Sequence, residues 1–147
     1  IYKEITFNQL FDDVTPTAFT NTGISEKPYS PVHIRGVRAL NDDLTIDWIR
    51  RARVNGEWLD AIDVPLDETT EDYEVDILDA PGGTVVRTIT TTASANGSVV
   101  TPGTQSAFYD VADQTADTGI TPGTPVDVEI FQLSAIRGRG FPGVELT

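Results

Sequence analysis

Three stretches of this chain alternate apolar and polar residues with a period of two, and that alternation constrains the fold more than any other feature. Leu44-Thr45-Ile46-Asp47-Trp48-Ile49 puts Leu44, Ile46 and Trp48 on one side and Thr45 and Asp47 on the other. Tyr73-Glu74-Val75-Asp76-Ile77 sets its acids opposite Tyr73, Val75 and Ile77, and Val126-Asp127-Val128-Glu129-Ile130 repeats the pattern. A period of two belongs to a β-strand with one buried face; a helix, at 3.6 residues per turn, would scatter these side chains. Further strand signals lie between turn residues: Val32 to Leu40, Thr84 to Thr92, Ser106 to Val111, and a short edge strand within Gly140 to Leu146. Pro142 makes that last one unsuited to a sheet centre. Ala112 to Thr118 predicts one helical turn capped by Asp110 or Asp113. Seven strands of this length predict an all-β, two-sheet, immunoglobulin-like sandwich. In that arrangement the second–third, fourth–fifth and sixth–seventh connections gather at one end.

The chain divides near Ser30. Residues 30–147 are the sandwich, and residues 1–29 an extension that completes or anchors to a neighbouring domain, being too short for a core of its own. Within the extension, Tyr2-Lys3-Glu4-Ile5-Thr6-Phe7 reads as a strand. Pro28 and Pro31 stiffen the junction, because each fixes its own φ and pushes the residue before it to extended geometry. The first residue is Ile rather than Met, which favours a segment of a longer polypeptide.

Charge narrows the function classes. The 147 residues carry 23 acidic against 10 basic side chains, a formal charge of −13. Nucleic acid and anionic membrane surfaces would repel such a chain, since both are bound through clustered Lys and Arg. No run of about 18 apolar residues is present to span a bilayer. Cysteine is absent, which removes disulfides, thiolate nucleophiles and zinc–sulfur sites.

Over Pro31 to Thr147 the residues resemble the fibronectin type III pattern: Trp48 late in the second strand, Tyr73 opening the third, and a Pro122-Gly123-Thr124 turn before the sixth. Val126 stands where that family places the tyrosine of its corner, so the resemblance implies that the corner hydrogen bond is missing here. A narrower resemblance covers nearly the whole chain. Thr20-Asn21-Thr22-Gly23, Ser30-Pro31-Val32-His33-Ile34-Arg35-Gly36, Trp48-Ile49-Arg50-Arg51, Asp63-Val64-Pro65-Leu66, Gln132-Leu133-Ser134-Ala135 and Gly138-Arg139-Gly140 are similar to the C-terminal region of the baseplate hub, or host-specificity, protein of siphophage-like tails and gene transfer agents. That resemblance implies a structural and binding role at the tail tip of a virion, extracellular once assembled. The implied partners are other tail tip or baseplate proteins, a homotrimer of the chain itself, and a host receptor or glycan.

The residues themselves predict no catalysis and call for no cofactor or metal. His33 is the single histidine, so any Ser–His–Asp arrangement must form around it; a structural histidine is the favoured reading. Asp67, Glu68, Glu71 and Asp72 hold enough carboxylates for glycosidase work but read more simply as a solvated loop. Asn41-Asp42-Asp43 and Asp67-Glu68 lack the spacing of a calcium loop. Asn96-Gly97-Ser98 reads as an Asn-Gly turn rather than a glycan acceptor. Arg137-Gly138-Arg139-Gly140 predicts a loop whose arginines pair with nearby acids. Partner-binding candidates are Glu57, Trp58 and Leu59 in the long second connection, with Arg137 and Arg139 at the same end, because loops and Trp concentrate binding. The alternative for Trp58 is a hairpin that covers the sandwich edge. A rival function is a carbohydrate-binding or spacer domain of a secreted bacterial enzyme, in which Trp58 stacks on sugar.

Overall fold

The computed structural model describes residues 1–18, 20–57, 65–92 and 104–147. The strands are β1 (Val32–Arg38), β2 (Leu44–Ile49), β3 (Asp72–Leu78), β4 (Val85–Thr92), β5 (Thr104–Tyr109), β6 (Asp127–Ser134), β7 (Gly138–Arg139) and β8 (Gly143–Leu146). A single helical turn, α1 (Val111–Ala116), follows β5. All the strand pairs are antiparallel, in a three-stranded sheet β1-β2-β5 and a five-stranded sheet β4-β3-β6-β7 in which β8 also pairs β6.

The three alternating stretches supply the centre. Leu44, Ile46, Trp48, Tyr73, Val75, Ile77, Val128 and Ile130 are fully buried, joined by Ala107, Tyr109 and Val126. Trp48 meets Tyr73 edge to face, with ring centroids 5.1 Å apart, across the gap between the sheets. The Trp48 indole N–H makes no well-formed hydrogen bond among the described residues. Burial pushes the Tyr73 phenol well above its ordinary value, and the Glu71 carboxylate, which accepts its hydrogen bond, adds to the effect.

Turn chemistry follows the residues. In Thr121-Pro122-Gly123-Thr124 the Thr124 amide bonds Thr121 O at 3.2 Å and Gly123 takes φ +82°, which only glycine adopts without strain. Asp110 caps α1 by accepting from the Asp113 amide at 2.7 Å. Fully buried Gln114 closes that end of the sandwich, its amide donating to Asp42 O and Tyr109 O at 2.9 Å each while Arg38 donates to its carbonyl oxygen. Beside it, Arg87 from β4 grips Asp117 through two hydrogen bonds of 2.7 and 3.1 Å, and the Tyr109 hydroxyl donates to the same carboxylate at 2.7 Å.

Several boundaries differ from those expected. The run Tyr2–Phe7 forms no strand; Tyr2 makes one isolated bridge, to Thr17, and among the described residues no neighbouring strand continues it. β6 runs on to Ser134, and Gly138–Arg139, expected as loop, folds back on it as β7, pairing with Leu133 and Ser134. Val126 exchanges backbone hydrogen bonds with Thr147 (2.6 and 2.8 Å), which continue the β6–β8 ladder by one residue on each strand. Residues 23–31 lie along the sandwich: Pro28 is buried, its carbonyl accepts from the Phe141 amide at 3.0 Å, and a Cβ on Gly140 or Gly143 would strike the Pro28 or Pro31 carbonyl.

Two outcomes follow from this packing. Trp48→Ala should lower unfolding free energy by about 3–5 kcal/mol in urea titration, the range for emptying a large aromatic site. The hydrogen bonds from Arg87, more than the one from Tyr109, hold the Asp117 carboxyl below the usual carboxylate range. Its stabilisation is therefore complete above the unfolded value of about 3.9 and disappears as pH falls through the lower folded value. Asp117→Asn should reduce the urea midpoint at pH 7, and the gap from the parent chain should narrow toward pH 3.

Candidate interaction surface

Antiparallel pairing decides which loops meet. Ile49 at the end of β2 faces Thr104 at the start of β5, and Asp72 at the start of β3 faces Thr92 at the end of β4. Tyr73 faces Gln132 near the end of β6. The connections after β2, β4 and β6 therefore leave from one end of the sandwich, as the strand assignment requires.

Ion pairs organise this end. Arg50 and Glu71, at the two roots of the long connection, pair at 2.9 Å with side chains only 10% and 11% exposed. The Tyr73 hydroxyl donates to Glu71 at 3.1 Å, which links the pair to the Trp48–Tyr73 contact below. The Asp67 carboxylate accepts from the Arg53 and Val54 amides, the latter at 2.7 Å, and so pins one side of the connection to the other. Glu68 lies 4.0 Å from Arg53, and Asp72 accepts from the Thr70 hydroxyl at 2.6 Å. The solvated acidic loop expected from the sequence is thus corrected: Asp67, Glu68 and Glu71 are half-buried because a cation or a pair of amides draws each inward.

The leading segment joins the same end. Arg137 clasps Glu26, its Nε donating at 2.7 Å, and its guanidinium fills the space beside Gly23. Arg51 sits over the Tyr29 ring, 5.1 Å from its centroid. Glu26, Arg53, Asp67, Glu68, Ser134 and Arg137 surround a cleft of about 320 Å³ between the segment and the loop. Both signs of charge line it, and each charged group is already engaged with a neighbour.

Of the residues singled out for partner binding, Glu57 is exposed at this end, and Trp58 and Leu59 lie outside the described residues. Arg137 is held by Glu26. Arg139 turns onto the outer face of the five-stranded sheet, where it bonds Asp76 at 2.5 and 3.0 Å, contacts Glu74, and lies 4.5 Å from the Phe131 ring centroid. Asp76 is only 2% exposed and also accepts from the Thr88 hydroxyl at 2.6 Å; without Arg139 its charge would be buried with no cation. Both arginines pair with acids, and neither reaches outward as a free ligand group. Arg50 and Glu71 are the members of this end that sequence reading missed as a unit. Their signal is positional, a basic residue just past β2 and an acidic one just before β3.

Catalytic arrangements are not assembled by the described residues. His33 is exposed on a β-bulge of β1 with φ +53° and makes no hydrogen bond among the described residues, so it orients no Ser or Asp. A shallow cleft of about 450 Å³ beside it is lined by Arg35, Asp47, Trp48 and Ile49, with Arg35 and Asp47 paired at 3.3 Å. Among the described residues no group of three His, Cys, Asp or Glu could hold a metal ion. Asn96-Gly97-Ser98 lies outside the described residues. The chain matches no family model, no curated protein and no solved structure.

Arg139→Met should cost about 2 kcal/mol in urea titration, through the stranded Asp76 carboxylate. Replacing Asp76 by Asn in the same chain should recover part of that loss.

Proposed function

We propose that this chain is a non-enzymatic structural and binding module at a phage-type tail tip, a fibronectin type III-like sandwich of the baseplate hub or host-specificity protein. The single observation that carries the reading beyond the sequence resemblance is the convergence of the connections after β2, β4 and β6 at one end of a rigid core. Loops held this way present side chains without rearranging, which is how sandwiches serve as binding modules. The strand order β1-β2-β5 against β4-β3-β6-β8 agrees with a type III arrangement. The mechanism is presentation. Arg50–Glu71 and the Asp67 clasp fix the roots of the long connection, and Glu57 is exposed beyond them; recognition is assigned to Glu57 and its sequence neighbours Trp58 and Leu59. Tail assembly supplies several copies, three in a trimer, so weak contacts with a host receptor or glycan add through effective concentration.

The test is adsorption. Particles in which residues 55–65 are replaced by a short Gly-Ser turn should assemble and fail to attach to host cells. Attachment at the parent level overturns the assignment of the long loop. Retention on a glycan column that Trp58→Ala abolishes, with no defect in particle attachment, favours a carbohydrate-binding accessory domain instead.

A further inference from the structure

Among the described residues, the run 1–7 has the pattern of a strand without forming one, and one edge of the five-stranded sheet is unpaired. Ile1, Tyr2, Ile5, Phe7, Leu10 and Phe11 are all exposed large apolar side chains, and Phe7 is wholly so. The backbone of the run 1–7 pairs Tyr2 with Thr17, through Tyr2 N–H and C=O, and Thr6 turns toward Gln9, whose amide donates to Thr6 O at 3.1 Å. In an extended chain successive residues direct these groups to opposite sides, so the backbone of residues 3 and 5 is available on the other side.

The complementary edge is on β4. This strand pairs β3 on one side, and among the described residues nothing pairs its other side. Its first half is blunted: the register shifts opposite Ile77 and Leu78, and Arg87 is tied to Asp113 and Asp117. Its second half, Thr88-Ile89-Thr90-Thr91-Thr92, carries no charge, proline or bulge, the devices that ordinarily keep an edge from pairing. The edge of β1 is protected differently, by the bulge at His33 and by Arg35 and Arg38. The two faces of the free half match the leading run. Ile89 packs against the core and Thr91 is buried, while Thr88 and Thr90 face outward. Ile1, Ile5 and Phe7 alternate with Tyr2, Glu4 and Thr6, so one face extends the apolar layer and the other extends the threonine ladder. Lys3 is the exception, and its ammonium is drawn back along the chain, donating to Phe11 O at 2.9 Å and lying 4.2 Å from the Phe11 ring centroid.

We propose that residues 1–7 of one copy add as an edge strand to Thr88–Thr92 of a second copy. Each chain then offers one donor and one acceptor, a head-to-tail contact that closes into a ring or continues as an open chain of copies. Residues 8–22, drawn out once the Tyr2–Thr17 bridge opens, span about 50 Å, enough to reach a neighbouring sandwich while residues 23–31 stay docked on their own. This association is independent of the tail-tip reading, and adsorption plays no part in its test.

The experiment exploits the absence of cysteine. Sedimentation of the full chain should show species above 15.9 kDa that grow with concentration. Phe7→Glu, at a fully exposed side chain, should return the chain to a monomer with its circular dichroism and urea midpoint unchanged. A Thr6→Cys chain mixed with a Thr88→Cys or Thr90→Cys chain should form a disulfide-linked dimer on oxidation, and a mixture with Val37→Cys, exposed on β1, should not. A chain that stays monomeric at every concentration, an oligomer that survives Phe7→Glu, or equal cross-linking to Val37→Cys overturns the proposal.

Discussion

The contact between the inner faces of β2 and β3 sets the terms for everything around it. Leu44, Ile46 and Trp48 press on Tyr73, Val75 and Ile77, and all six are withdrawn completely from water. At about 25 cal/mol for each Å² of apolar surface buried, such a cluster dominates the favourable side of folding. It also fixes register, since a slip of one residue would turn Thr45, Asp47, Glu74 and Asp76 into the core. With β2 and β3 locked face to face, β1 and β5 take their places beside one, and β4 and β6 beside the other.

That register places charge as well as grease. Asp76 falls on the outer face of the central strand of its sheet, crowded by β4 and β6, and so needs the Arg139 guanidinium delivered by β7. Tyr73 carries its hydroxyl to the rim, where Glu71 and Arg50 meet it. Each pairing stiffens a loop root through a group whose position the core has already decided. The Arg50–Glu71 pair is desolvated, so its value lies in fixing geometry more than in net stability.

What could be read from the residues divides along this line. Alternation is a local signal, and it located the second, third and sixth strands to within a few residues, together with the helical turn after Asp110. The ion pairs are long-range: Arg139 and Asp76 are 63 residues apart in sequence, and Arg137 and Glu26 are 111 apart. No pattern within a strand announces such partners, and so the acids of the long connection looked solvated. The run Tyr2–Phe7 failed in the opposite way. Its local pattern is that of a strand, but a strand exists only where a neighbour completes its hydrogen bonds, and a single bridge to Thr17 does not. For the candidate surface, the end at which the loops gather was legible from strand order. The commitment of Arg137 and Arg139 to particular acids was not.

The Gln114 plug gives the molecule two unequal poles. At one, a side-chain amide sealed from solvent satisfies the carbonyls of Asp42 and Tyr109 and receives Arg38, so that loop, turn and helix are mutually dependent. A length change there would orphan several polar atoms at once. At the opposite pole the Arg50–Glu71 pair and the Asp67 clasp sit at the base of the long connection, so exchanging residues beyond that base leaves these polar groups satisfied. Diversification of this scaffold, by selection or by grafting, is therefore channelled to a single pole.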